Sequence, residues 1–565
     1  MSAIRAYANC DYSYVVWRLD QRVPRSRGFA LERRYDDEQD AQAVDTWVGF
    51  EGDEAPPGTA KPSTEWPIQK FMWADLLVEP GRTVSYRAVP MVGRRRHLEP
   101  EEAQATGWSD PVTVTPTATR SLASYFNRGI VASQWLSRRL GDASGMDRRL
   151  RDVIGDVGDE TRNFLAGDLR EEMLALLERA RRNGRDVYAA LFELNDPELI
   201  AALARLGPRL RVVLAVRLGE DGKDENEAAR AALRDGGVEI HDRPLSGRHL
   251  AHNKFLVICD SQGDPSRVWT GSTNWSRTGL CTQANNGLLI SSKTVAGWFL
   301  DQWEALRKAK GEFPDGLIPA DDVRKTAAVG RARITTWFTP VSEQIDLVDA
   351  RRHIDAATQG ILFLMFNPGP RGTLLNDIIE RLSPASDTHD PALYIHGVLN
   401  QNPGTKKNPI SFFHRGTPDE APFDVVFPAP VTRPLGFWVR ELKKLAGTFA
   451  MVHSKVVVVD PFGPKPVVMT GSHNLGPKAS SANDDNLVIV ENAPGLAADY
   501  AVNIMGIYNQ YRWRYRMLQR ERERASPAPG RSRGWRGLRN NDRWQDDYFT
   551  DGDLRRELRF WLGEG

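Results

Sequence analysis

The sequence is poor in cysteine, and the few cysteines it has do not form a disulfide framework. Its three cysteines, Cys10, Cys259 and Cys281, are odd in number and widely separated along 565 residues. Small secreted domains that depend on disulfides carry an even number of closely spaced cysteines, so this pattern excludes that class. Reduced thiols are typical of a cytosolic chain, and we predict a cytoplasmic location.

Long apolar runs are also missing. No stretch approaches the roughly 20 consecutive apolar residues that a membrane-spanning helix needs, which predicts a protein without a transmembrane segment. The amino terminus is interrupted by Arg5, Asn9, Asp11 and Arg18, and it therefore lacks the apolar core of a cleaved secretory signal. Export by a route without such a signal stays open.

A strong net charge is the third absence. The 75 basic residues nearly balance the 74 acidic ones, so no overall electrostatic field draws the chain to nucleic acid or to anionic lipid. Any such attraction must be local. No cluster of residues has the spacing of metal ligands, and we expect neither a metal nor another cofactor. A chain of this length divides into roughly two to four domains.

Residues 1–117 have the pattern of a small all-β sandwich domain. Val84 and Tyr86 alternate with polar neighbours, and turn formers such as Glu79-Pro80-Gly81 separate the short strands. The order VVWRLD … FMWADLLVEPGRTVSYRAVPMVG … WSDPVTVTP resembles a fibronectin type III domain. We expect Trp17, Trp73 and Tyr86 to be core residues. A protein or glycan partner that binds this domain is the alternative role.

Beyond residue 117 the pattern changes to alternating helices and strands, and it occurs twice. Apolar residues at helical spacing, as in Leu169–Ala180, are followed by short apolar runs such as Val187–Phe192, which are typical of buried strands. The same order restarts near Ile334, and a helix is predicted at Trp438–Leu445. We therefore predict two pseudo-symmetric α/β halves and an Arg/Pro/Gly-rich linker with a short terminal helix, at residues 118–328, 329–522 and 523–565.

A polar motif that occurs once in each half is the strongest signal in the sequence. Each copy has the order His-x-Lys, an apolar run, Asp, Gly-Ser-x-Asn and a further Asn. The copies are His252, Lys254, Asp260, Ser272, Asn274 and Asn286 in the first half and His453, Lys455, Asp460, Ser472, Asn474 and Asn486 in the second. From the Gly-Ser pair onward the offset is 200 residues, as in 274 to 474. This indicates an internal duplication that carries chemistry.

The spacing of the histidines and lysines predicts a common binding point. Residues i and i+2 of a strand point to the same face, so His252 projects with Lys254 and His453 with Lys455. Two imidazoles, two ammonium groups and two amides together fit a tetrahedral phosphoryl group, whose oxygens require positive charge and hydrogen-bond donors. One imidazole attacks phosphorus, and the other donates a proton to the leaving oxygen.

These paired motifs resemble those of the phospholipase D superfamily. The resemblance implies two α/β sandwiches with the active site at their interface. It implies that His252 is the nucleophile and that His453 is the general acid and base. The side chains it assigns to the phosphate are Lys254, Lys455, Asn274 and Asn474. The supporting residues it implies are Ser272 and Ser472 at the strand ends, Asp260 and Asp460 behind the site, and Asp485, Asn286 and Asn486 beside the histidines.

One spacing departs from the pattern of this superfamily. Four residues separate Lys455 from Asp460, which is the usual spacing, whereas five separate Lys254 from Asp260. Either the first strand contains a bulge or this acid is displaced. A further difference between the halves is Asp485, which adds a carboxylate in the second copy only.

Three functions stay open from the sequence. The first is a phosphodiesterase that cleaves the head group of a phospholipid, because single chains with both motifs resemble bacterial phospholipases and phospholipid synthases. The second is a nuclease that cleaves DNA or RNA by the same mechanism, which a basic groove at the pocket would favour. The third is a catalytically inactive scaffold, and the intact histidines and lysines of both copies argue against it.

Overall fold

The computed structural model describes most of the chain in two compact units. The described residues are 2–564 except 54, 56–58, 117–118, 120, 130–145, 220–221, 401, 406, 408–422, 427–451 and 526–536. The helix predicted at Trp438–Leu445 and residues 526–536 of the predicted linker lie outside them. One unit consists of Met1–Pro116 with Arg516–Gly565, and the other is Thr117–Tyr515.

The amino-terminal region is all-β, as the sequence predicts. Its strands are β1 Ala3–Ala8, β2 Ser13–Arg18, β3 Ser26–Tyr35, β4 Gln42–Ala43, β5 Asp45–Thr46, β6 Lys61–Pro62, β7 Met72–Asp75, β8 Thr83–Arg94, β9 His97–Pro100 and β10 Val112–Thr113. One sheet has the order β1-β2-β7, another has the order β10-β8-β3-β4 with β9 paired to β8, and β5 pairs with β6. Two antiparallel sheets that divide the strands in this way are typical of immunoglobulin-like sandwiches. The resemblance to a fibronectin type III domain stays a prediction.

Aromatic side chains form much of the core of this domain. Trp17 is fully buried on β2 and packs edge-on against Phe29 of β3, with ring centroids 5.3 Å apart. Tyr86 of β8 is also fully buried. Trp73 is only half-buried, and its ring stacks parallel to that of the exposed Trp47. The predicted core position is therefore right for Trp17 and Tyr86 and wrong for Trp73.

The carboxy-terminal segment belongs to the same compact unit and contributes to its core. Two short helices span Asp546–Phe549 and Asp553–Leu562. Trp561 of the second helix is fully buried, and its ring centroid lies 4.5 Å from that of Tyr14. The hydroxyl of Tyr7 donates to the carbonyl oxygen of Trp561 at 2.5 Å. One end of the chain thus supplies a core side chain to the domain built by the other end.

Replacing Trp561 with alanine is expected to destabilise this unit by about 3–5 kcal/mol, because the change removes a large buried ring and leaves a cavity. Hydrogen exchange of β1 and β2 in the full chain, followed by mass spectrometry, measures the change. Arg555→Ala is the matched control: Arg555 is exposed on the same helix, and its loss is expected to cost less than about 0.5 kcal/mol. If β1 and β2 are protected from hydrogen exchange as well in Trp561→Ala as in Arg555→Ala, a core role for Trp561 is contradicted.

The second unit contains two α/β halves with one sheet order. The strands of the first half are β11 Leu122–Phe126, β12 Val187–Leu191, β13 Leu210–Ala215, β14 Glu239–Arg243, β15 Lys254–Cys259, β16 Pro265–Gly271 and β17 Asn286–Ser291. Those of the second half are β18 Lys325–Val329, β19 Ala332–Phe338, β20 Gly360–Met365, β21 Tyr394–Leu399, β22 Phe423–Val426, β23 Lys455–Val459, β24 Val467–Gly471 and β25 Asn486–Glu491. The sheet orders are β11-β17-β16-β15-β12-β13-β14 and β19-β25-β24-β23-β20-β21-β22, with β18 added at the edge of the second. The predicted pair of pseudo-symmetric α/β halves is confirmed.

Helices connect the strands of each half. The longer ones span Met146–Gly155, Glu160–Arg182, Pro197–Ala204, Glu227–Asp235, Lys293–Ala309, Ile345–Asp355, Leu374–Glu380 and Pro494–Ala525, and the shorter ones Arg277–Cys281, Ile318–Asp321 and Pro477–Ala482. Leu169, Met173 and Leu176 of the second helix are buried, as their helical spacing predicts. In the part of the chain that the structure describes, no helix combines the length and the apolarity needed to cross a membrane.

The strands that carry the two histidine motifs lie inside their sheets. Every residue of β15 and β23 is buried. Each strand has antiparallel neighbours on both sides, β12 and β16 around β15 and β20 and β24 around β23. The continuous apolar runs of the sequence suit strands that are covered on both faces. The strand of each motif is therefore a buried, central strand of its sheet.

Candidate active site

Each histidine of the repeated motif is anchored to the opposite half of the unit. The backbone N–H of His252 donates to the carbonyl oxygen of Asp484 at 3.0 Å. In the same way, the backbone N–H of His453 donates to the carbonyl oxygen of Ala284 at 3.0 Å. Both histidines are buried, with exposed fractions of 4% and 2%. The two motif strands therefore meet at the junction of the halves.

The imidazole Nδ1 atoms are also held by the opposite half. His252 Nδ1 donates to Asp485 Oδ1 at 2.7 Å, and His453 Nδ1 donates to Asn285 Oδ1 at 2.9 Å. Carboxylate and amide oxygens only accept hydrogen bonds, so Nδ1 carries the hydrogen atom in both rings. Nε2 then keeps its lone pair when the ring is neutral, as a nucleophile or a general base requires.

The two lysines have closely matched surroundings. Lys254 Nζ donates to the carbonyl oxygen of His252 at 2.5 Å, and Lys455 Nζ donates to that of His453 at 2.6 Å. Each ammonium lies over an aromatic ring, at 5.0 Å from the centroid of Phe192 for Lys254. In the second half, Lys455 Nζ lies 4.9 Å from the centroid of Phe366, the residue after β20. Neither ammonium forms an ion pair with a described carboxylate.

The aromatic residues under the lysines are Phe192 and Phe366, and sequence reasoning missed this role. They follow the last residues of β12 and β20, which pair with Lys254 and Lys455 across the sheet. Each phenyl ring also contacts the histidine of its own half, with ring centroids 4.9 Å apart in both cases. Each motif strand thus presents a histidine and a lysine against one aromatic side chain.

The cationic groups are held in an environment that disfavours their charge. Burial lowers the pKa of Lys254 to about 7, and Asp485 and Glu193 oppose this effect only in part. Burial and the charge of Lys254 lower the pKa of Lys455 well below its ordinary value. An anion placed among these groups would relieve the penalty, because an opposite charge favours the protonated form. The electrostatics therefore suit a negatively charged ligand such as a phosphodiester.

The histidines experience the same field. Burial lowers the pKa of His252 to about 4, although Asp485 opposes the shift. Burial, followed by the charges of Lys455, Lys254 and His252, lowers the pKa of His453 well below its ordinary value. The hydrogen bonds that anchor each histidine to the opposite half bring the two motif strands to the same junction. Both histidines and both lysines of the repeated motif thus come together.

The first asparagine of the motif is tied to a buried acid. Asn274 Nδ2 donates to Glu193 Oε2 at 2.8 Å, and the other oxygen of Glu193 pairs with Arg217. Asn474 is only partly buried. The side-chain oxygens of Asn274 and Asn474 are both buried without a hydrogen-bond partner among the described residues. Glu193 and Arg217 have no counterpart in the repeated motif, so sequence reasoning did not find them.

Comparison with known families agrees with this geometry. Residues 170–307 and 435–506 match the profile of the family described as "Cardiolipin synthase, PLD-like domain". The two matched segments contain β15 and β23 with their histidines and lysines. The chain carries a phospholipase D-like domain. The resemblance predicted from the sequence is confirmed.

Solved structures similar to the chain have low sequence identity to it. Phosphatidylserine synthase from Haemophilus influenzae Rd KW20 is 11% identical, with 64% of this chain and 91% of that chain covered and a TM-score of 0.40. Polyphosphate kinase from Porphyromonas gingivalis is 10% identical over 70% of this chain, with a TM-score of 0.37, and the match spans about half (53%) of its length. Nuc from Salmonella typhimurium, a phospholipase D family member, is 20% identical over 25% of this chain and 88% of that chain, with a TM-score of 0.21. None of the curated proteins compared with the chain matches it.

The Gly-Ser pairs of the phospholipase D-like domain shape the turns beside the histidines. Ser272 Oγ accepts the backbone N–H of Asn286, and Ser472 Oγ accepts that of Asn486, both at 3.0 Å. Gly271 has φ +144°, and a Cβ at this position would overlap the carbonyl oxygen of Asn286. The glycine is required there because the two backbones approach so closely. The serines thus close the turns that lead into the strands after them.

Asn286 and Asn486 join the two halves, and neither contacts an imidazole. Asn286 Nδ2 donates to Thr470 Oγ1 at 2.9 Å, and Asn486 Nδ2 donates to Asn253 Oδ1 at 3.0 Å. The implied position of these asparagines beside the histidines is therefore wrong by one residue. The residues immediately before them in sequence, Asn285 and Asp485, contact the imidazoles instead. Asp485 was among the predicted supporting residues, but Asn285 was not. Its position 200 residues before Asp485, the offset of the repeat, is the signal that could have found it.

The two motif aspartates lie far from the histidines of the phospholipase D-like domain. Asp460 accepts the backbone N–H groups of Thr358, Gln359 and Gly360 at 2.9, 2.7 and 2.9 Å. Asp260 forms an ion pair with Lys293 at 2.7 Å. A strand advances about 3.3 Å per residue, and each acid follows its histidine by seven or eight residues, which separates them by roughly 23–26 Å. The expected position behind the site is therefore wrong for both.

The extra residue before Asp260 is accommodated by an irregular strand. The pairing of β15 with β16 changes register between Ile258 and Cys259. Of the two explanations that the spacing left open, a bulge is the one found. The bulge lies at the distal end of β15, so it does not disturb the start of the strand at Lys254. The altered spacing leaves the geometry at the histidines intact.

Proposed function

We propose that the phospholipase D-like domain is a phosphodiesterase that works through a covalent phosphohistidine. The observation that carries this proposal is the paired arrangement of two buried imidazoles, each held at Nδ1 by the opposite half, beside two buried ammonium groups without acidic partners. Two nitrogen lone pairs and two positive charges suit the attack on a phosphoryl group and the stabilisation of its oxygens.

In the first step, His252 Nε2 attacks the phosphorus atom. The P–O bond to the leaving group breaks, its electron pair goes to the leaving oxygen, and that oxygen takes a proton from Nε2 of protonated His453. Asp485 stabilises the positive charge that develops on the phosphorylated His252 ring, because its carboxylate accepts from Nδ1. Lys254 and Lys455 stabilise the charge on the phosphoryl oxygens.

In the second step, neutral His453 takes a proton from water. The water oxygen attacks phosphorus, the P–N bond breaks, and its electron pair returns to His252 Nε2. The products are a phosphomonoester and the regenerated pair of histidines. An alcohol in place of water would give transfer instead of hydrolysis. We expect the reaction to proceed in EDTA, because the lysines supply the positive charge that the phosphoryl group needs.

A phospholipid is the first choice of substrate. The family whose profile matches the domain is described by a phospholipid-synthesising activity, cardiolipin synthase. Nucleic acid is the second candidate, because three exposed arginines adjoin the site in sequence: Arg248 before His252, Arg277 after Asn274 and Arg371 after Phe366. Exposed cations beside a phosphodiester site suit a polyanion.

Incubation with both substrate classes in EDTA tests the proposal. Wild type, Lys455→Met and the control His241→Ala are compared on phosphatidylglycerol vesicles and on plasmid DNA, with release of the head group and nicking as the readouts. We expect wild type and His241→Ala to turn over one substrate class and Lys455→Met to lose at least about 10²-fold in rate. Equal rates for wild type and Lys455→Met would refute the mechanism. Failure of wild type to act on either substrate would favour the inactive scaffold.

A further inference from the structure

The groups behind the two imidazoles differ, although they occupy equivalent positions. Asp485 and Asn285 are 200 residues apart, and each directly precedes the asparagine that begins β25 or β17. Each accepts a hydrogen bond from Nδ1 of the histidine in the other half, at 2.7 Å for His252 and 2.9 Å for His453. The geometry of the two contacts is nearly the same, and only the charge of the acceptor differs.

Asn285 is fixed with its oxygen toward His453. Its Nδ2 donates to the carbonyl oxygen of Gly279 at 2.9 Å, its Oδ1 accepts from Ser272 Oγ at 2.8 Å, and its backbone N–H donates to Asn127 Oδ1 at 2.8 Å. A rotated amide would place its NH₂ group against the N–H of the ring and its oxygen against a carbonyl oxygen. The amide therefore has one orientation, in which it offers His453 an acceptor without a charge.

Asp485, like Asn285, is fixed by hydrogen bonds, but its side chain is a carboxylate. Its Oδ2 accepts from Asn483 Nδ2 at 3.0 Å, and its backbone N–H donates to Thr339 Oγ1 at 2.9 Å. The charges of His252 and Lys254 keep the pKa of this carboxyl below its usual range in spite of complete burial. His252 thus has an acidic side chain behind it, whereas His453 has an amide.

We propose that Asn285 is a positioning residue that orients His453 while withholding the negative charge that Asp485 gives to His252, so that the two histidines are chemically unequal. The expected pH dependence of kcat/KM rests on the proposed function. The difference between the pKa values of the two histidines does not, because it is a property of the protein without substrate. The charge of the group behind each imidazole assigns the roles of the two histidines. The ring that must carry a positive charge in the phosphorylated intermediate has the carboxylate, and the ring that must give up its proton has the neutral amide.

The other groups around His453 do not replace the missing charge. Lys455 from its own strand, Lys254 and His252 from the opposite half all disfavour protonation, and the ring of Phe366 packs on the imidazole with centroids 4.9 Å apart. The backbone of Ser272 provides a favourable hydrogen bond. Protonated His453 is consequently a strong acid, and binding of the anionic substrate is what favours its protonation. Because His453 titrates below His252, the acid limb of the kcat/KM profile should report His453 and lie at an unusually low pH, and the alkaline limb should report His252.

The variants Asn285→Asp and Asp485→Asn test this inference as a matched pair. A carboxylate beside His453 should raise its pKa, so Asn285→Asp is expected to move the acid limb of the kcat/KM profile upward by about 1–3 pH units, toward the pKa of His252, and to leave the alkaline limb in place. Asp485→Asn is expected to move the alkaline limb downward instead, because His252 then loses its proton more readily. An Asn285→Asp profile with both limbs unmoved, or lowered uniformly at all pH values, would overturn the inference.

A titration of the wild-type protein keeps the inference testable if Asn285→Asp does not fold or if no substrate is turned over. Histidine labelled with ¹³C at Cε1 gives one resonance for each ring, and His252→Gln and His453→Gln assign the two resonances. His453 is expected to titrate at lower pH than His252, with a spectrum of neutral Nδ1–H tautomer above that pH. Titration of His453 above His252 would overturn the inference even in an active enzyme. If His453 titrates below His252 but the protein turns over no substrate, the proposed function is refuted and the inference about Asn285 stands.

Discussion

Replacing His252 with alanine is expected to lower kcat/KM by roughly 10⁴- to 10⁶-fold, which is the range for loss of a nucleophile from a site whose groups act as a unit. The ring that would be lost is buried, is held by Asp485 at 2.7 Å and lies over Phe192 with centroids 4.9 Å apart. Steady-state assays on the substrate found for the wild type measure the loss.

The companion variant distinguishes the two histidines. His453→Ala keeps the nucleophile but removes the acid and base, so a smaller loss of about 10²- to 10⁴-fold is expected. Its covalent phosphohistidine should accumulate when the leaving group is a good one, such as p-nitrophenol, and acid-labile phosphate on the protein reveals it. Thermal unfolding of both variants excludes a general loss of structure. His252→Ala that retains activity within tenfold of wild type would falsify the assignment of the nucleophile.

Replacing Arg243 with methionine is expected to destabilise the second unit strongly. Arg243 lies at the end of β14 in the first half, and its Nε and Nη2 donate to the two carboxylate oxygens of Asp484 at 2.8 and 3.1 Å. Both side chains are only 1% exposed. Loss of one partner leaves a buried charge uncompensated, so we expect the unit to lose about 3–5 kcal/mol of stability. Arg234→Met, at an exposed position of the preceding helix, is the control and should cost less than about 0.5 kcal/mol.

The deficit of Arg243→Met is expected to depend on pH. Burial raises the pKa of the Asp484 carboxyl to about 6, above roughly 3.9 in an unfolded chain. A carboxyl of this kind supports folding below its unfolded pKa and loses that contribution as the pH rises through its folded pKa. Without Arg243 the folded pKa rises further, so the deficit should be largest above neutral pH and smallest near pH 4. Urea unfolding at several pH values measures it, and a constant deficit between pH 4 and 8 would contradict the ion pair as its cause.

The same ion pair links stability to the site. Asp484 directly precedes Asp485, and its carbonyl oxygen accepts the backbone N–H of His252 at 3.0 Å. Arg243 therefore holds the segment that supplies both the backbone and the side-chain partner of His252. Partial loss of activity at temperatures below the unfolding transition is expected to accompany the loss of stability in Arg243→Met.

The motif residues that the sequence predicted correctly were those whose placement follows from local geometry. His252 and Lys254 come together because a strand turns alternate residues to the same face, and the buried apolar run behind them makes the strand assignment secure. The repeat of the whole set, with a constant offset after the Gly-Ser pair, identified two halves of one architecture. The sheet orders of the two halves match strand for strand, as that repeat predicts.

The residues that were misplaced or missed share one property, which is that packing between elements decides their role. Asp260 and Asp460 are part of the motif in the sequence, yet each directly follows the last residue of its strand, at the end away from the histidine. Phe192 carries no motif, but it follows the strand that pairs with β15 and so lies under Lys254. Asn285 was passed over for its neighbour Asn286, because a shift of one residue exchanges the direction of a side chain.

By itself, the sequence determined that two histidine–lysine strands exist, that they belong to duplicated α/β halves and that their chemistry suits a phosphoryl group. Those conclusions depend on periodicity and on the order of residues within each half. Only the tertiary structure decided which group stands behind each imidazole, because those hydrogen bonds join residues 233 positions apart at His252 and 168 apart at His453. Contacts of that range depend on how two sheets pack together, and neither sheet carries that information alone.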